Sequence, residues 1–199
     1  MKGQQSEELL KLKDLQPYRV TRILGDDIIV DLKLFDRECG CYSRGCFLCI
    51  KSIASGVKYE FGGLYFEKSK DVGKKIFDLS QRRHLFSLLV RGIRTVIEGQ
   101  AENAVSRFIL LDGNMTVTMN QGENIDKKRN IPMCEAIFSV RKDKICISAY
   151  GDKFEAEINM PRFYAMLNDA LDYFDSEVQR VGITLPNVSE DDDIDVFVE

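Results

Sequence analysis

Four cysteines, Cys39, Cys41, Cys46 and Cys49, fall within eleven residues in the spacing C-x-C-x4-C-x2-C. Thiolates this close, on a segment that also carries Gly40 and Gly45, could wrap one tetrahedral zinc ion. Cys46-x-x-Cys49 has the usual knuckle spacing, and Cys39-x-Cys41 is tighter. One structural zinc holding the loop 37–50 is the reading this cluster favours. Four free thiols, or a redox pair at Cys46 and Cys49, are the alternatives. The remaining thiols, Cys134 and Cys146, lie in strand-like surroundings and read as small buried hydrophobes.

A second kind of chemistry lies in cations alternating with aromatics. Phe138, Val140, Ile145, Ile147, Phe154, Ala156 and Ile158 form one alternating apolar set. The opposite parity gives Ser139, Arg141, Lys144, Cys146, Ser148 and Tyr150, with Lys153 just past a turn. Such a face suits a single nucleic-acid strand. Stacking is worth about 1–3 kcal/mol per base and tolerates any sequence, while the cations follow the phosphates. Upstream, Tyr59 and Phe61 share parity with Val57 and read as core, whereas Lys58, Tyr65 and Lys74 fall outside. Arg82 and Arg83 sit where a helix is expected to start, so phosphate contact there is reasonable. The competing reading of all these residues is an ordinary solvated sheet face.

Catalytic motifs are missing. There is no Walker loop, no G-x-G-x-x-G and no G-x-S-x-G, and the only histidine, His84, has no catalytic partner in view. The expectation is a protein that is not an enzyme.

Charge is distributed unevenly. The chain of 199 residues has a net charge of −4, yet Ser189 to Glu199 holds six acids and no base, leaving a body with 28 bases against 26 acids. Such a tail is usually a solvated or interacting segment. No apolar run approaches the roughly 20 residues needed to span a bilayer. The first residues lack the apolar core of a secretory signal. An intracellular site is expected, in the cytoplasm or at the nucleus or nucleoid, with no membrane partner.

The elements that must position these residues follow from periodicity. A short helix up to about Leu15 carries Leu9, Leu12 and Leu15, and Pro17 closes it. Tyr18 to Leu24 alternates Tyr18, Val20 and Ile23 against Arg19, Thr21 and Arg22. After the Gly25-Asp26-Asp27 turn, Ile28 to Phe35 puts Ile28, Val30, Leu32 and Leu34 on one side. Phe47 to Ile53 reads as a further strand. Then comes a unit of strands at 57–61, a Gly62-Gly63 turn, strands at 64–66 and 74–79, Ser80 as cap, and a helix stopped by Gly99. That helix carries Leu85, Leu88, Leu89, Ile93, Val96 and Ile97. Strands are expected again at 108–111 and 115–119, followed by a polar loop 120–130 with Lys127-Lys128-Arg129. Further strands follow at 136–140, 145–150 and 154–158, then Asn159 as cap and a second helix. The second helix carries Phe163, Leu167, Ala170, Leu171, Phe174, Val178 and Val181, tolerates Pro161 in its first turn, and ends at Gly182 and Pro186.

Strands, a polar cap and one amphipathic helix, given twice, predict an α+β fold with an internal duplication: two antiparallel sheets, each followed by one long helix. The expected division is a first half at 1–99, a second at 100–186 and an acidic tail at 187–199. The repeat is organisational, with little residue identity beyond Leu79-Ser80 against Ile158-Asn159, Arg83 against Arg162 and Leu88 against Leu167. Generic alternation of strands and helices is the bland alternative.

This plan resembles the PUR and Whirly group of single-stranded nucleic-acid binders, over about 57–99 and 108–182. The resemblance implies helices covering one side of each sheet and strands holding the nucleic acid on the other. It also implies a pairing of helices, within the chain or in a dimer. A shorter resemblance lies in the tail: Asp191-Asp192-Asp193-Ile194 followed by Phe197 looks like the acidic tip of bacterial and phage single-strand-binding proteins, which recruits replication partners. Here Val198 and Glu199 follow Phe197 and no proline is near, so a pocket that reads a terminal Phe carboxylate would be mismatched. Together these readings point to a single-stranded DNA or RNA binder in replication or transcription, with a tail that recruits a protein. A protein–protein adaptor with a zinc knuckle is the alternative.

Overall fold

A computed structural model describes residues 2–37, 44–56, 58–65, 71–110, 134–149, 152–187 and 196–198. Helix α1 (Lys2–Asp14) leads into four strands, β1 (Tyr18–Ile23), β2 (Ile28–Arg37), β3 (Arg44–Ser52) and β4 (Lys58–Tyr65). Helix α2 (Val72–Ile97) follows. Then come β5 (Asn103–Leu110), β6 (Cys134–Arg141), β7 (Lys144–Ala149), β8 (Asp152–Glu157), helix α3 (Met160–Val181) and a short β9 (Val196–Val198). The class is α+β with two antiparallel sheets. The first has order β1-β2-β3-β4 and the second β8-β7-β6-β5-β9. Four sequential strands and then a long helix therefore occur twice in the element order.

Alternation sets the faces. Ile28, Val30, Leu32 and Leu34 on β2 are fully buried, as are Cys46, Leu48 and Ile50 on β3, and Phe138, Val140, Ile145 and Ile147 are buried in the second sheet. All belong to one hydrophobic cluster that also takes in Leu79 to Val96 of α2 and Met160 to Val181 of α3. Helix α2 packs on β4, β5 and β6, whereas α3 packs on β1 and β2, and the two helices pack on each other. Each helix thus reaches the sheet of the other half, which makes the halves interdependent.

The caps explain the helix ends. Asn159 accepts from the Arg162 amide at 3.1 Å, Pro161 sits in the first turn, and Gly182 ends α3 in the left-handed conformation at φ 73°. Helix α2 begins eight residues earlier than Ser80: its cap is Asp71, which accepts from the Lys74 amide at 3.1 Å. The stretch 74–79 is therefore helical, because an Asp cap precedes an apolar stripe that already starts at Val72 and Leu79. Ser80 is buried inside the helix with its hydroxyl donating to the Phe77 carbonyl at 2.7 Å. Gly62 and Gly63 likewise make no turn. They continue the β4 ladder opposite Phe47 and Cys46, in the register that Lys58 sets against Lys51. The strand expected at 115–119, the loop 120–130 and Tyr150 lie outside the described residues.

Two junctions lock the halves. The amide of Asn159 donates to the Leu24 carbonyl at 2.6 Å, and a Cβ on Gly25 would lie 2.7 Å from the Glu157 carbonyl oxygen. Only glycine lets the β1–β2 turn come so near the β8–α3 junction. At the other end, buried Glu177 accepts from the Gln16 amide at 2.7 Å and from Arg180, holding the end of α1 on α3. The Tyr18 and Tyr173 rings lie 4.8 Å apart, as do those of Phe35 and Phe174. Phe35 is buried at φ 52°, an uncommon conformation for a bulky residue, where the β2–β3 register shifts between Lys33 and Asp36.

Candidate nucleic-acid interface

With the helices on the inner faces, the outer faces are where charged residues collect. On the second sheet Ser139 pairs with Cys146, Ile137 with Ser148, and Ser148 with Lys153, all in the set opposite the buried positions. Arg141 and Lys153 are exposed and Lys144 half-buried on this face. These three predicted residues share one face, with Lys153 four residues along the ladder from Lys144. The same face also carries Glu155 and Glu157, which the alternation of β8 makes legible: Glu157 lies opposite Lys144, and Glu155 accepts a salt bridge from Lys153 at 3.5 Å. The field there is more balanced than the cations alone suggest.

The first sheet offers a face with a different residue set. Cross-strand rows run Arg19–Lys33–Phe47–Gly62 and Ile23–Ile29–Lys51–Lys58. Phe47 is half-buried between a lysine position and a glycine position, so one flank of its row carries no side chain. Ile23 is 60% exposed. Arg19 is held by buried Asp36, with Nε donating at 2.9 Å and Nη2 also donating. Lys33 and Lys51 are in no ion pair with a described carboxylate. The odd parity of Lys33 could have been read from β2. Phe47 could not, because β3 is apolar on both faces. Lys58 is in register with Lys51, and Tyr65 with Arg44.

The helical residues go elsewhere. Lys74 sits in the first turn of α2, and Arg82 and Arg83 lie in its interior, where backbone N–H groups are already bonded within the helix. The phosphate site expected at a helix start is therefore not formed by Arg82 and Arg83. Arg83 instead clamps α3: Nε and Nη2 donate to Asp175 at 2.6 and 2.8 Å, which raises the guanidinium pKa above its usual value. The charge of Arg82 acts on Cys46. His84 also lies in mid-helix.

Cys46 and Cys49 both lie within β3, three residues apart, and so belong to opposite faces. Cys46 is wholly in the core. Burial pushes its thiol up to about 12, against smaller lowering effects from the Phe35 backbone and Arg82. The ladders of β3 with β2 and β4 thus hold the two thiols on opposite sides of one paired strand. Among the described residues no group of three or more His, Cys, Asp or Glu side chains is placed to hold a metal ion. Cys39 and Cys41 lie outside the described residues, as do Asp191, Asp192, Asp193 and Ile194.

The end of the tail takes a place in the fold. Val196, Phe197 and Val198 pair antiparallel with Ser106, Val105 and Ala104, adding a strand to β5, and β9 also reaches α2. Phe197 is thus held by its backbone in a ladder opposite Val105.

A cleft of about 180 Å³ lies between β1 and α3, lined by Tyr18, Val20, Arg22, Leu24, Arg162, Ala165, Met166 and Asp169. Arg22 shares the inner-edge set with Tyr18 and Val20, and Ile23 takes the outer position, the reverse of the sequence expectation. Burial, and then Asp169, raises the Tyr18 pKa.

No helix among the described residues is long and apolar enough to cross a membrane. No family model, curated protein or solved structure matches the chain.

Proposed function

We propose that this chain binds single-stranded nucleic acid, DNA before RNA, without catalysis, in replication or transcription. The observation that carries the reading is the disposition of the two antiparallel meanders: their inner faces are buried, and their outer faces present Phe47, Lys33, Lys51, Arg141 and Lys144, with Asp31, Glu155 and Glu157 among them. Stacking on a sheet aromatic and phosphate contact by neighbouring cations are the two ingredients such binding needs. The twofold order of strands and helix is what supports reading the chain as internally duplicated.

On this reading the acids of the tail compete with nucleic acid for the outer cations or recruit a replication partner. Because Val196–Val198 is part of a sheet, the test retains the strand and neutralises the acids. Fluorescence anisotropy of a labelled thirty-base oligothymidine is measured against the full chain and against Asp191→Asn/Asp192→Asn/Asp193→Asn. Binding that tightens in the variant at low salt supports both parts of the reading. Absence of binding by either protein sinks it. The adaptor reading draws on a separate observation, the acids Glu155 and Glu157 among the cations of the second sheet. It predicts that a protein partner binds this face and that oligothymidine does not bind.

A further inference from the structure

The two sheets differ at one matching place. Each four-strand meander begins on a strand that forms one side of it, β5 in the second sheet and β1 in the first, and each of these strands packs against the helix of the other half. Beside β5 and α2 the chain adds its own strand, Val196–Val198. Beside β1 and α3, among the described residues, no strand is added: β1 ends the sheet order and the cleft of about 180 Å³ opens there.

We infer that the β1 edge, walled by α3, is a docking groove for an extended acidic–apolar peptide of a partner protein, which joins the first sheet as a strand. An edge strand beside a helix supplies main-chain hydrogen bonds along one side and a side-chain groove along the other. The groove floor is apolar, with Val20, Leu24, Ala165 and Met166, and Tyr18 stands at one end. Its charge selects the sign of the peptide. Arg22 and Arg162 are exposed, Arg22 donates to the Thr21 carbonyl at 3.0 Å, and neither is in an ion pair with a described carboxylate. Asp169 disfavours acids at its own position and so sets which way round the acidic end lies. The peptide chemistry has a precedent in the chain itself: the strand that fills the β5 edge is Val-Phe-Val following a run of aspartates.

The probe is a fluorescein-labelled peptide of residues 188–199, titrated into the full chain. The tethered copy of that segment holds the β5 edge at high effective concentration, so free peptide at micromolar levels reads the β1 edge. Binding should weaken about tenfold in Arg22→Glu/Arg162→Glu, as expected for charge reversal at a partly desolvated cleft. Both residues are exposed, and an unchanged melting temperature shows that the variant is folded. Two peptides N-methylated on alternate residues test strand addition, since only the one whose inward amides are blocked should fail to bind. Binding that ignores the arginines, or both methylation patterns, overturns the proposal. So does oligothymidine occupying the same arginines without an edge preference. Self-association of the unlabelled chain that the double variant abolishes would also overturn it, by giving the groove to a second copy.

Discussion

If the outer faces bind a single strand, their cations determine how steeply salt weakens the complex. Lys33 and Lys51 on the first sheet, and Arg141 and Lys144 on the second, are outside any ion pair with a described carboxylate. Arg19 is engaged by Asp36 and Lys153 by Glu155, so neither is counted. Four phosphate contacts at about 0.7 each give a slope of log Kobs on log salt of about −2.8. Raising salt fourfold, from 50 to 200 mM, should then weaken oligothymidine binding by about fiftyfold, or about 2.3 kcal/mol. Lys33→Gln with Lys144→Gln removes one contact from each face and should halve the slope to about −1.4. Anisotropy titrations at four salt concentrations measure both slopes. A wild-type slope near zero, or one unchanged in the double variant, would refute the assignment of these faces.

Other outcomes follow from the packing. Gly25→Ala places a methyl 2.7 Å from the Glu157 carbonyl oxygen. Overpacking costs about 1–3 kcal/mol, offset by about 0.4–1 from the stiffer unfolded chain, so the melting temperature should fall by up to about 10 °C; an unchanged melt would show that the contact gives way freely. Arg83→Ala should lower stability by only about 0.5–1 kcal/mol, because the ion pair with Asp175 is partly exposed and screened, and it should leave oligonucleotide affinity unchanged. A large loss of affinity would restore Arg83 to the binding surface. Cys46 should resist a thiol reagent such as DTNB at pH 8 until the protein unfolds. With its folded pKa raised from 9.0 to about 12, its neutral form favours the fold fully below pH 9, and that contribution is lost as pH rises from 9 towards 12. Rapid labelling of native Cys46, seen by peptide mass mapping, would contradict its burial. Phe47→Ala should weaken oligonucleotide binding about 5- to 150-fold if one base stacks there, with little change in the salt slope.

Much of the framework was legible from local chemistry. The parity of Phe138, Val140, Ile145 and Ile147, the apolar stripe of α3 and its Asn159 and Gly182 caps all stand as read, because alternation, helical period and capping are properties of neighbours in the chain. Local reading failed where two signals competed. Gly62-Gly63 reads as a turn, but the ladder with β3 carries the strand through. Ser80 reads as a cap, yet Asp71 nine residues before it has the free amides to satisfy.

By itself, then, the sequence determined the α+β class, most strand faces and the concentration of acid in the tail. Tertiary structure decided which residues meet. It sent Arg83 to Asp175, Cys46 and Cys49 to opposite faces of one strand, Phe47 into the row of Lys33, and Val196–Val198 onto β5. The reason is physical. Face and period are set within a few residues, but partners across a sheet or between helices are chosen by the packing of segments far apart in the chain, and no local pattern encodes that choice.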